Sequence, residues 1–558
     1  MGNFISRTKL VVGGAYILNQ LLSAVSKRIK ETPGLPVSNP TLSFWTVPRA
    51  KISSSGDIPD HADVAVIGSG ITGTSFAYNA LKLDSSLKVV MLEARDVCSG
   101  ATGRNGGHVN PPLYQDYARL KETFGLDTAK KMIRFRLSHI REFLTIAGLE
   151  DIIEHSQCRE TDNLDIYFSE DTYAEVKESL EAWKAEMPEE AKSWVAVDGE
   201  ESSKLFGLSS EVAGCIHGDG GAMHPYRFVT ALQARLLERH TNFTIATQTP
   251  CTSITAPTRD RPFYTLMTPN GSITATHIIH ATNGWSSHLL TPMREKIIPT
   301  RGTMTAQRPG TSLKAHTLNG LRSYVFNSGA SGYDYLTQLP TGEHELMFGG
   351  GALSNLVTGA MEDIACADDS RYSISTAAHV SGSLPFLFGL GNWGEEKEPE
   401  TEVNINDEDE RVQWSKGRTK SVWSGILGFS ADGFPWVGRL PPKVSGRAEP
   451  PSPSTRSVLS KSATDSKSSS YTYEKLAESN SGLEPSVSRP HTAKPGEWIA
   501  AGYTGEGMPQ AWMSAKALAY MVLDREDEIV EWFPENLRVT EERWKKADFA
   551  DLIMRRVG

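Results

Sequence analysis

Val64-Ala65-Val66-Ile67-Gly68-Ser69-Gly70-Ile71-Thr72-Gly73 is an apolar run that breaks into Gly-x-Gly-x-x-Gly. Ser75, Phe76, Ala77, Ala80 and Leu81 follow with helical spacing. Lys88-Val89-Val90-Met91-Leu92-Glu93-Ala94-Arg95 then reads as a second apolar strand, ending on an acid twenty residues after Gly73. Glycines also serve ordinary turns. Here strand, helix and acid all fall where a dinucleotide-binding βαβ unit needs them. Gly68 permits the tight turn, Gly70 admits a pyrophosphate to the backbone, and Gly73 lets helix and strand pack closely. The free N–H groups of the helix start, with Ile71 and Thr72 in its first turn, face the phosphates. Glu93 accepts hydrogen bonds from a ribose.

The next stretch is Ser99-Gly100-Ala101-Thr102-Gly103-Arg104-Asn105-Gly106-Gly107-His108. Its glycines place backbone N–H donors close to a ligand and continue the phosphate cradle. Far downstream, Trp498 to Met508 repeats the pattern of strand and glycine-rich turn, followed by a helix over 511–523. His277 to Ser286 is a buried strand ending in small residues. The dinucleotide domain is therefore discontinuous, with its first strand near 64 and its last near 500.

Between these pieces, 113–150 is helical by periodicity, 164–168 is a strand, and 170–187 is a charged helix. Residues 217–225 read as a turn-rich loop before a helix over 226–239. Residues 297–350 alternate like antiparallel strands, the sheet of a second domain. The expected division is an N-terminal segment and linker over 1–61 and dinucleotide-domain pieces at 62–158, 216–298, 423–440 and 496–558. Substrate-domain pieces take 159–215 and 299–422. Residues 441–495 are an insertion rich in Ser, Pro, Lys and Glu, too poor in apolar residues to order itself. Glu395–Arg411 is an acidic exposed loop. The fold class is α/β: a Rossmann-type domain beside an antiparallel-sheet domain.

At 558 residues the chain exceeds one small core. A net charge of −10 leaves no basic footprint, which excludes nucleic acid as the natural partner. The five cysteines are scattered and form no CxxC pair, so neither a disulfide framework nor a zinc site is expected, and a reducing, cytoplasmic setting suits them. His217 and His224 have no carboxylate or cysteine at ligand spacing, and no metal is assigned. Met1-Gly2-Asn3-Phe4-Ile5-Ser6 matches the myristoylation pattern. Leu18, Leu22, Val25 and Ile29 then share a helical face. Residues 1–30 leave three readings open: a helix on a membrane surface, a signal peptide without a good cleavage site, or a helix packed on a protein body.

Together the glycine turns, Glu93-Ala94, Ser99 to Gly107, Ala281-Thr282-Asn283-Gly284-Trp285 and Gly502 to Gly507 resemble the FAD-dependent D-amino-acid-oxidase superfamily, which includes glycine oxidase, sarcosine oxidase and gamma-glutamylputrescine oxidase. Trp423 to Gly428 and Phe434 to Arg439 look most like the gamma-glutamylputrescine oxidase branch. The resemblance implies an FAD that takes a hydride at N5 from the carbon beside an amine nitrogen; the cysteine or histidine that relatives use for a covalent flavin link is not evident, so non-covalent FAD is expected. It also implies O2 as the acceptor, giving an imine or aldehyde and H2O2. The cofactor-binding set it implies is Gly68, Gly70, Ile71, Thr72, Gly73, Glu93, Ala94, Arg95, Gly100, Ala101, Thr102, Arg104, Asn105, Gly106, Gly107, Gly284, Gly505, Glu506, Gly507 and Met508.

Two departures bear on substrate. Leu427-Gly428 stand where amino-acid and glycine oxidases carry an arginine for the substrate carboxylate, which points to an amine or amine conjugate. Glu506 replaces the branch's usual histidine; it either tunes the flavin, binds an amine, or caps the helix start. No acid or base is named. Trp285, Arg301, Tyr333, Tyr335 and Trp423 are substrate-pocket candidates, with core packing as the alternative for the aromatics and a surface salt bridge for Arg301. The rival readings are a dehydrogenase feeding a quinone or carrier, a biosynthetic tailoring oxidase, and a non-catalytic flavin-binding protein.

Overall fold

The computed structural model describes Tyr16 and residues 19–52, 58–313, 319–328, 332–351, 360–396, 414–450 and 492–552. The Gly2 acylation pattern, residues 397–411 of the acidic loop and most of the 441–495 insertion lie outside the described residues.

Two eight-stranded sheets carry the fold. In the first, β1 (His61–Ile67) lies between β2 (Val89–Leu92) and β9 (Gly271–His280), both parallel to it. β6 (Phe243–Ala246) extends the β2 side and β16 (Gly496–Ala501) the β9 side, again parallel. β15 (Trp436–Arg439) pairs antiparallel at the edge, and the hairpin β7 (Ser253–Thr255) and β8 (Tyr264–Thr268) hangs on β9. Ala62, Val64, Ala65 and Val66 are all fully buried. A central parallel strand is covered on both faces, which is why β1 is a continuous apolar run instead of an alternating one.

The helix Ile71–Leu83 leaves β1 through Gly68, whose φ is +108°. A Cβ at Gly73 would sit 2.0 Å from the carbonyl oxygen of Gly68, so only glycine lets the helix start this close to the strand. The helix Ala511–Val522 packs against it, joined by the Ser75 hydroxyl donating to the Trp512 carbonyl at 2.7 Å. Two ends of the chain thus meet beside one glycine turn.

The second sheet runs β14 (Thr419–Ser430), β10 (Ile297–Gln307), β13 (Leu346–Gly350), β12 (Tyr333–Gln338), β11 (Arg322–Asn327), β3 (Arg159–Tyr167), β5 (Gly214–Ala222) and β4 (Val195–Asp198). Its pairs are antiparallel except β3 with β11. The strands alternate. Leu164, Ile166, Tyr324, Phe326, Leu336 and Phe348 turn to one face and form a single apolar cluster with Leu384 and Phe388. Asn163, Asp165, Val325, Asn327, Tyr333 and Tyr335 turn to the other, which faces the first sheet across a cleft.

Four expectations need correction. Residues 217–222 are not a loop but the second half of β5, in the second sheet. The glycines there make room for side chains: a Cβ at Gly218 would strike the Trp194 indole at 2.4 Å. Residues 423–430 likewise belong to the second sheet as part of β14, and only β15 joins the first. The insertion does not begin at 441: Val444 is fully buried, and Arg447 bonds the buried Glu497 carboxylate through Nε and Nη2, each at 2.6 Å. The linker expected before Ala62 is in part a strap. Trp45 is buried and its indole N–H donates to the Asn105 carbonyl at 2.6 Å.

Residues 19–28 are helical. Val25 is buried in a cluster with Leu290, Met293, Phe549 and Leu552, and Ile29 packs on it. Of the three readings of the N-terminus, the described part is a helix packed on the body of the protein. No helix among the described residues is long and apolar enough to cross a membrane.

Candidate active site

The cleft between the sheets is lined by Gly68 to Thr72, Glu93 to Arg95, Gly100 to Thr102 and Arg104 to Gly106. Trp285, Leu427, Tyr503 and Gly505 to Met508 continue it, and so do the cleft-facing residues of β3, β11 and β12. Its volume is about 460 Å³.

At one end stands Glu93. Its carboxylate accepts from the Ser69 N–H at 3.0 Å and the Ser69 hydroxyl at 2.6 Å on one oxygen, and from the Arg95 N–H at 3.0 Å on the other. Three donors fix an anion at the tip of β2, beside the positive end of the helix Ile71–Leu83. The Ile71 N–H donates to the Thr102 hydroxyl at 3.0 Å, which draws the 99–107 loop over the helix start.

Arg95 and Arg104 line the cleft but spend their charge on one shared partner, Asp369. Arg95 Nη1 lies 3.0 Å from Asp369 Oδ1, and Arg104 Nε lies 3.6 Å from Asp369 Oδ2. Arg104 also donates to the carbonyls of Ser99 and Ser424 at 2.8 and 2.7 Å. Burial lowers its pKa to about 10. Both guanidinium groups hold the loop in shape; neither offers a free charge. The Trp285 ring lies 5.8 Å from the Arg95 guanidinium, and its Nε1 has no hydrogen-bond partner among the described residues.

The last glycine turn closes the far wall. Thr504 N–H donates to the Gly428 carbonyl at 2.8 Å, and Gly502 N–H to Asn283 Oδ1 at 3.1 Å. Gly505 has φ +90°. Glu506 does not cap the helix start: the N-cap is Gln510, whose amide instead donates to the Glu506 carboxylate at 3.0 Å. Glu506 lines the cleft.

The five substrate-pocket candidates separate. Tyr333 and Tyr335 come together on β12, their rings 6.3 Å apart. Trp285 lines the Glu93 end instead. Arg301 leaves the site: it lies on the face of β10 opposite Gly302 and Met304, buried, with Nε 2.6 Å from Asp363. Trp423 is core; its indole N–H donates to the Arg104 carbonyl at 2.9 Å. Gly73, Gly107 and Gly284 do not line the cleft. Each is needed for close packing, and a Cβ at Gly284 would meet the Leu427 carbonyl at 2.7 Å. The other cofactor positions all line it.

Several lining residues went unread in the sequence. His108 is half-buried in the cleft wall, its ring 5.0 Å from that of Tyr335, and desolvation lowers its pKa to about 4. Asp165 is buried on β3 and accepts from the Tyr114 hydroxyl and the Gln115 amide, both at 2.8 Å, and from the Asn163 amide at 3.2 Å. Burial raises its pKa to about 6. The signal was present in Leu164-Asp165-Ile166: a carboxylate inside an alternating strand, where Asp is disfavoured. Gly34, Leu35 and Pro36 line the cleft from the strap.

His217 and His224 serve structure. His217 Nδ1 lies 3.0 Å from Asp162, and His224 Nδ1 accepts the Arg227 N–H at 3.3 Å.

The family model described as FAD dependent oxidoreductase matches residues 63–521, from β1 to the final helix of the first domain. The chain belongs to this family. Gamma-glutamylputrescine oxidoreductase of Escherichia coli (strain K12) is 37% identical over 70 residues, 12% of this chain. Those residues span 16% of that relative's length, about a sixth. Among solved structures, glycine oxidase from Geobacillus kaustophilus aligns with a TM-score of 0.55 at 14% identity, covering 87% of this chain and 99% of that one. L-proline dehydrogenase from P. horikoshii aligns at 0.56 and 15%, covering 88% and 100%. At such identities these likenesses show the fold.

FAD is the family's cofactor, and the residues present fit it. The Gly68–Thr72 turn offers N–H groups at a helix start, and Glu93 is pre-set to accept from a ribose. The orphaned Trp285 Nε1 is a donor still to be used. The protein is an FAD-dependent oxidoreductase.

Proposed function

We propose that this protein oxidises the C–N bond of an amine or amine conjugate, with O2 as the electron acceptor. In net terms a primary amine, O2 and water give a carbonyl compound, ammonia and hydrogen peroxide in equal amounts. The observation that carries the amine reading is the charge of the cleft. Among the described residues no lysine lines it, and its two arginines are both committed to Asp369. A free carboxylate brought into this cleft would meet no unspent cation. A protonated amine meets the buried Asp165 carboxylate and side-chain amides, Asn110, Asn163 and Asn327 among them.

Bound FAD supplies the two-electron oxidation itself. The chain's residues bind and orient. Glu93 would take the adenosine ribose, and the N–H groups of the helix start the phosphates. Tyr335 and His108 form one wall of the substrate end, and Tyr333, 41% exposed, stands at its mouth. His108 stays neutral at physiological pH, so it adds no charge that would repel an ammonium. Five unpaired cysteines, four of them buried, support a reducing compartment.

The test is the visible spectrum of the purified protein before and after anaerobic addition of an amine panel. Flavin bands bleached by one amine class, and restored by air with peroxide formation, support the reading. Bleaching that only a quinone or protein carrier reverses would make the enzyme a dehydrogenase. Flavin that no amine bleaches would remove the amine claim.

A further inference from the structure

Asp165 is a buried carboxylate at the wall of the cleft, 2% exposed. Its hydrogen-bond donors are a phenol and two amides, all neutral, and no cation pairs with it among the described residues. Other buried carboxylates of this protein have a cationic partner within reach: Asp369 has Arg95 and Arg104, Asp363 has Arg301, and Glu497 has Arg447. A buried anion without a counter-ion is costly unless something brings one.

The strand register places it. Asp165 pairs with Val325, and Val325 with Tyr335, in one row across β3, β11 and β12. Two strand spacings separate Asp165 from Tyr335, roughly 10 Å. Tyr335 is where the cofactor-lining loop meets the second sheet: a Cβ at Gly106 would lie 2.6 Å from its ring, and the Gly106 carbonyl accepts from Thr337 at 2.5 Å. Asp165 therefore stands two strands along the sheet from the point where the loop meets it. Its neighbours keep it in place. Asn163 bridges to Asn110, which also donates to Ser323 at 2.8 Å. Each of these polar side chains lies in the cleft wall or directly behind it.

Resting on the amine reading above, we infer that Asp165 is the counter-charge for a second cationic group of the substrate, several bonds from the carbon that is oxidised. The substrate class is a diamine, or an amine conjugate bearing a distal ammonium. Asp165 touches substrate but takes no part in the bond cleavage.

The groups around it leave its titration legible. Tyr114 from the helix Tyr114–Phe124, Tyr167 on β3 and Cys215 on β5 all have pKa values raised by burial and stay neutral, and Gln115, Asn163 and Val325 carry no charge. His108, in the same cleft, is neutral above about 4. Ligand-free Asp165 protonates near 6.

The experiment compares 1,4-diaminobutane, n-butylamine and 4-aminobutan-1-ol as ligands of the FAD-loaded full chain. Anaerobic flavin bleaching against concentration gives an apparent Kd and a limiting rate for each. The wild type is expected to bind the diamine about tenfold or more tightly than the two mono-cations, the worth of one charge-assisted buried contact. Asp165→Asn removes that preference, read as the ratio of the diamine and n-butylamine Kd values measured on the same variant. n-Butylamine, whose far end carries no polar group for Asp165 to meet, is the internal control for folding. A second measurement needs no variant: in the wild type, diamine affinity falls as pH drops through about 6, while that of n-butylamine does not.

Equal affinities for all three ligands in the wild type, or a diamine preference kept in Asp165→Asn, would overturn the assignment. If the diamine perturbs the flavin spectrum without bleaching it, and Asp165→Asn abolishes the perturbation, Asp165 stands and amine oxidation falls. If no amine of the panel bleaches or perturbs the spectrum, both fall.

Discussion

The phenol oxygen of Tyr503 lies 3.0 Å from the hydroxyl oxygen of Thr72, across 431 positions of sequence. Both groups are buried, and both belong to turns that line the cleft. The contact ties the last glycine turn to the first turn of the helix that faces the cofactor. It is the point at which a discontinuous domain is closed.

Tyr503→Phe keeps the packing and removes the hydroxyl. It leaves the Thr72 hydroxyl without its partner in a buried setting, a loss of about 1–3 kcal/mol. The expected outcome is a lower thermal midpoint together with faster FAD release, followed by the rise of free flavin fluorescence. A drop in stability with an unchanged release rate would show that the two turns are not coupled through this bond.

Glu93→Gln tests the other end of the cleft. The amide keeps one oxygen for the Ser69 donors but sets an N–H2 against the Arg95 N–H or the ribose. Losing a charge-assisted bond of about 1.5–3 kcal/mol weakens FAD binding about 10- to 100-fold. Equilibrium titration of the apoprotein with FAD reads this directly, and an unchanged Kd would deny Glu93 its role.

How much of this was legible in the residues follows from what each signal depends on. β1, its glycine turn and Glu93 are local: a run, a spacing and an acid, each forced by one ligand geometry. The tie between Tyr503 and Thr72 could be anticipated only as a shared domain, because no local pattern encodes a contact across the whole chain. Arg301 and Trp423 failed as pocket residues for two different reasons. Side chains alternate on a strand, and the sequence of β10 does not say that Arg301 takes the face opposite Gly302 and Met304. Trp423 shares the face of Gly425 on β14 but is buried, its indole N–H spent on the Arg104 carbonyl, a long-range contact no local pattern encodes. Asp165 was passed over because an isolated strand shows its polarity but not the sheet that turns that polarity inward. The strap was passed over because its prolines read as linker, while Trp45, the residue that anchors it, stands alone without a period.

Asp369 concentrates the cost of that strap and loop. Fully buried, it faces Arg95 and Arg104, and its backbone carbonyl accepts the Thr41 N–H at 2.7 Å. Asp369→Asn leaves two buried guanidinium groups without an anion, worth about 3–5 kcal/mol. Urea unfolding should show the midpoint falling steeply. Trp45→Ala should cost a similar amount, about 3–5 kcal/mol, through the cavity it opens under Gly107. If Trp45→Ala unfolds at the wild-type urea concentration, the strap contributes nothing to the stability of the fold.

His379 Nε2 lies 2.7 Å from Asp334 Oδ2, beside β12 and its cleft tyrosines. The hydrogen bond to Asp334 raises the His379 pKa above its ordinary value, outweighing partial burial. A histidine bound more tightly in its protonated form stabilises the fold fully below its unfolded pKa of about 6.5. That contribution is lost as pH rises through the higher folded-state value. The wild type should therefore exceed His379→Gln in thermal midpoint by the widest margin near pH 5.5. The margin should narrow as pH climbs past neutrality. The two melting curves measured from pH 5.5 to 9 decide it: a gap that stays constant or widens with pH would mean that the pair holds the neutral imidazole, with Asp334 accepting from it as an uncharged donor.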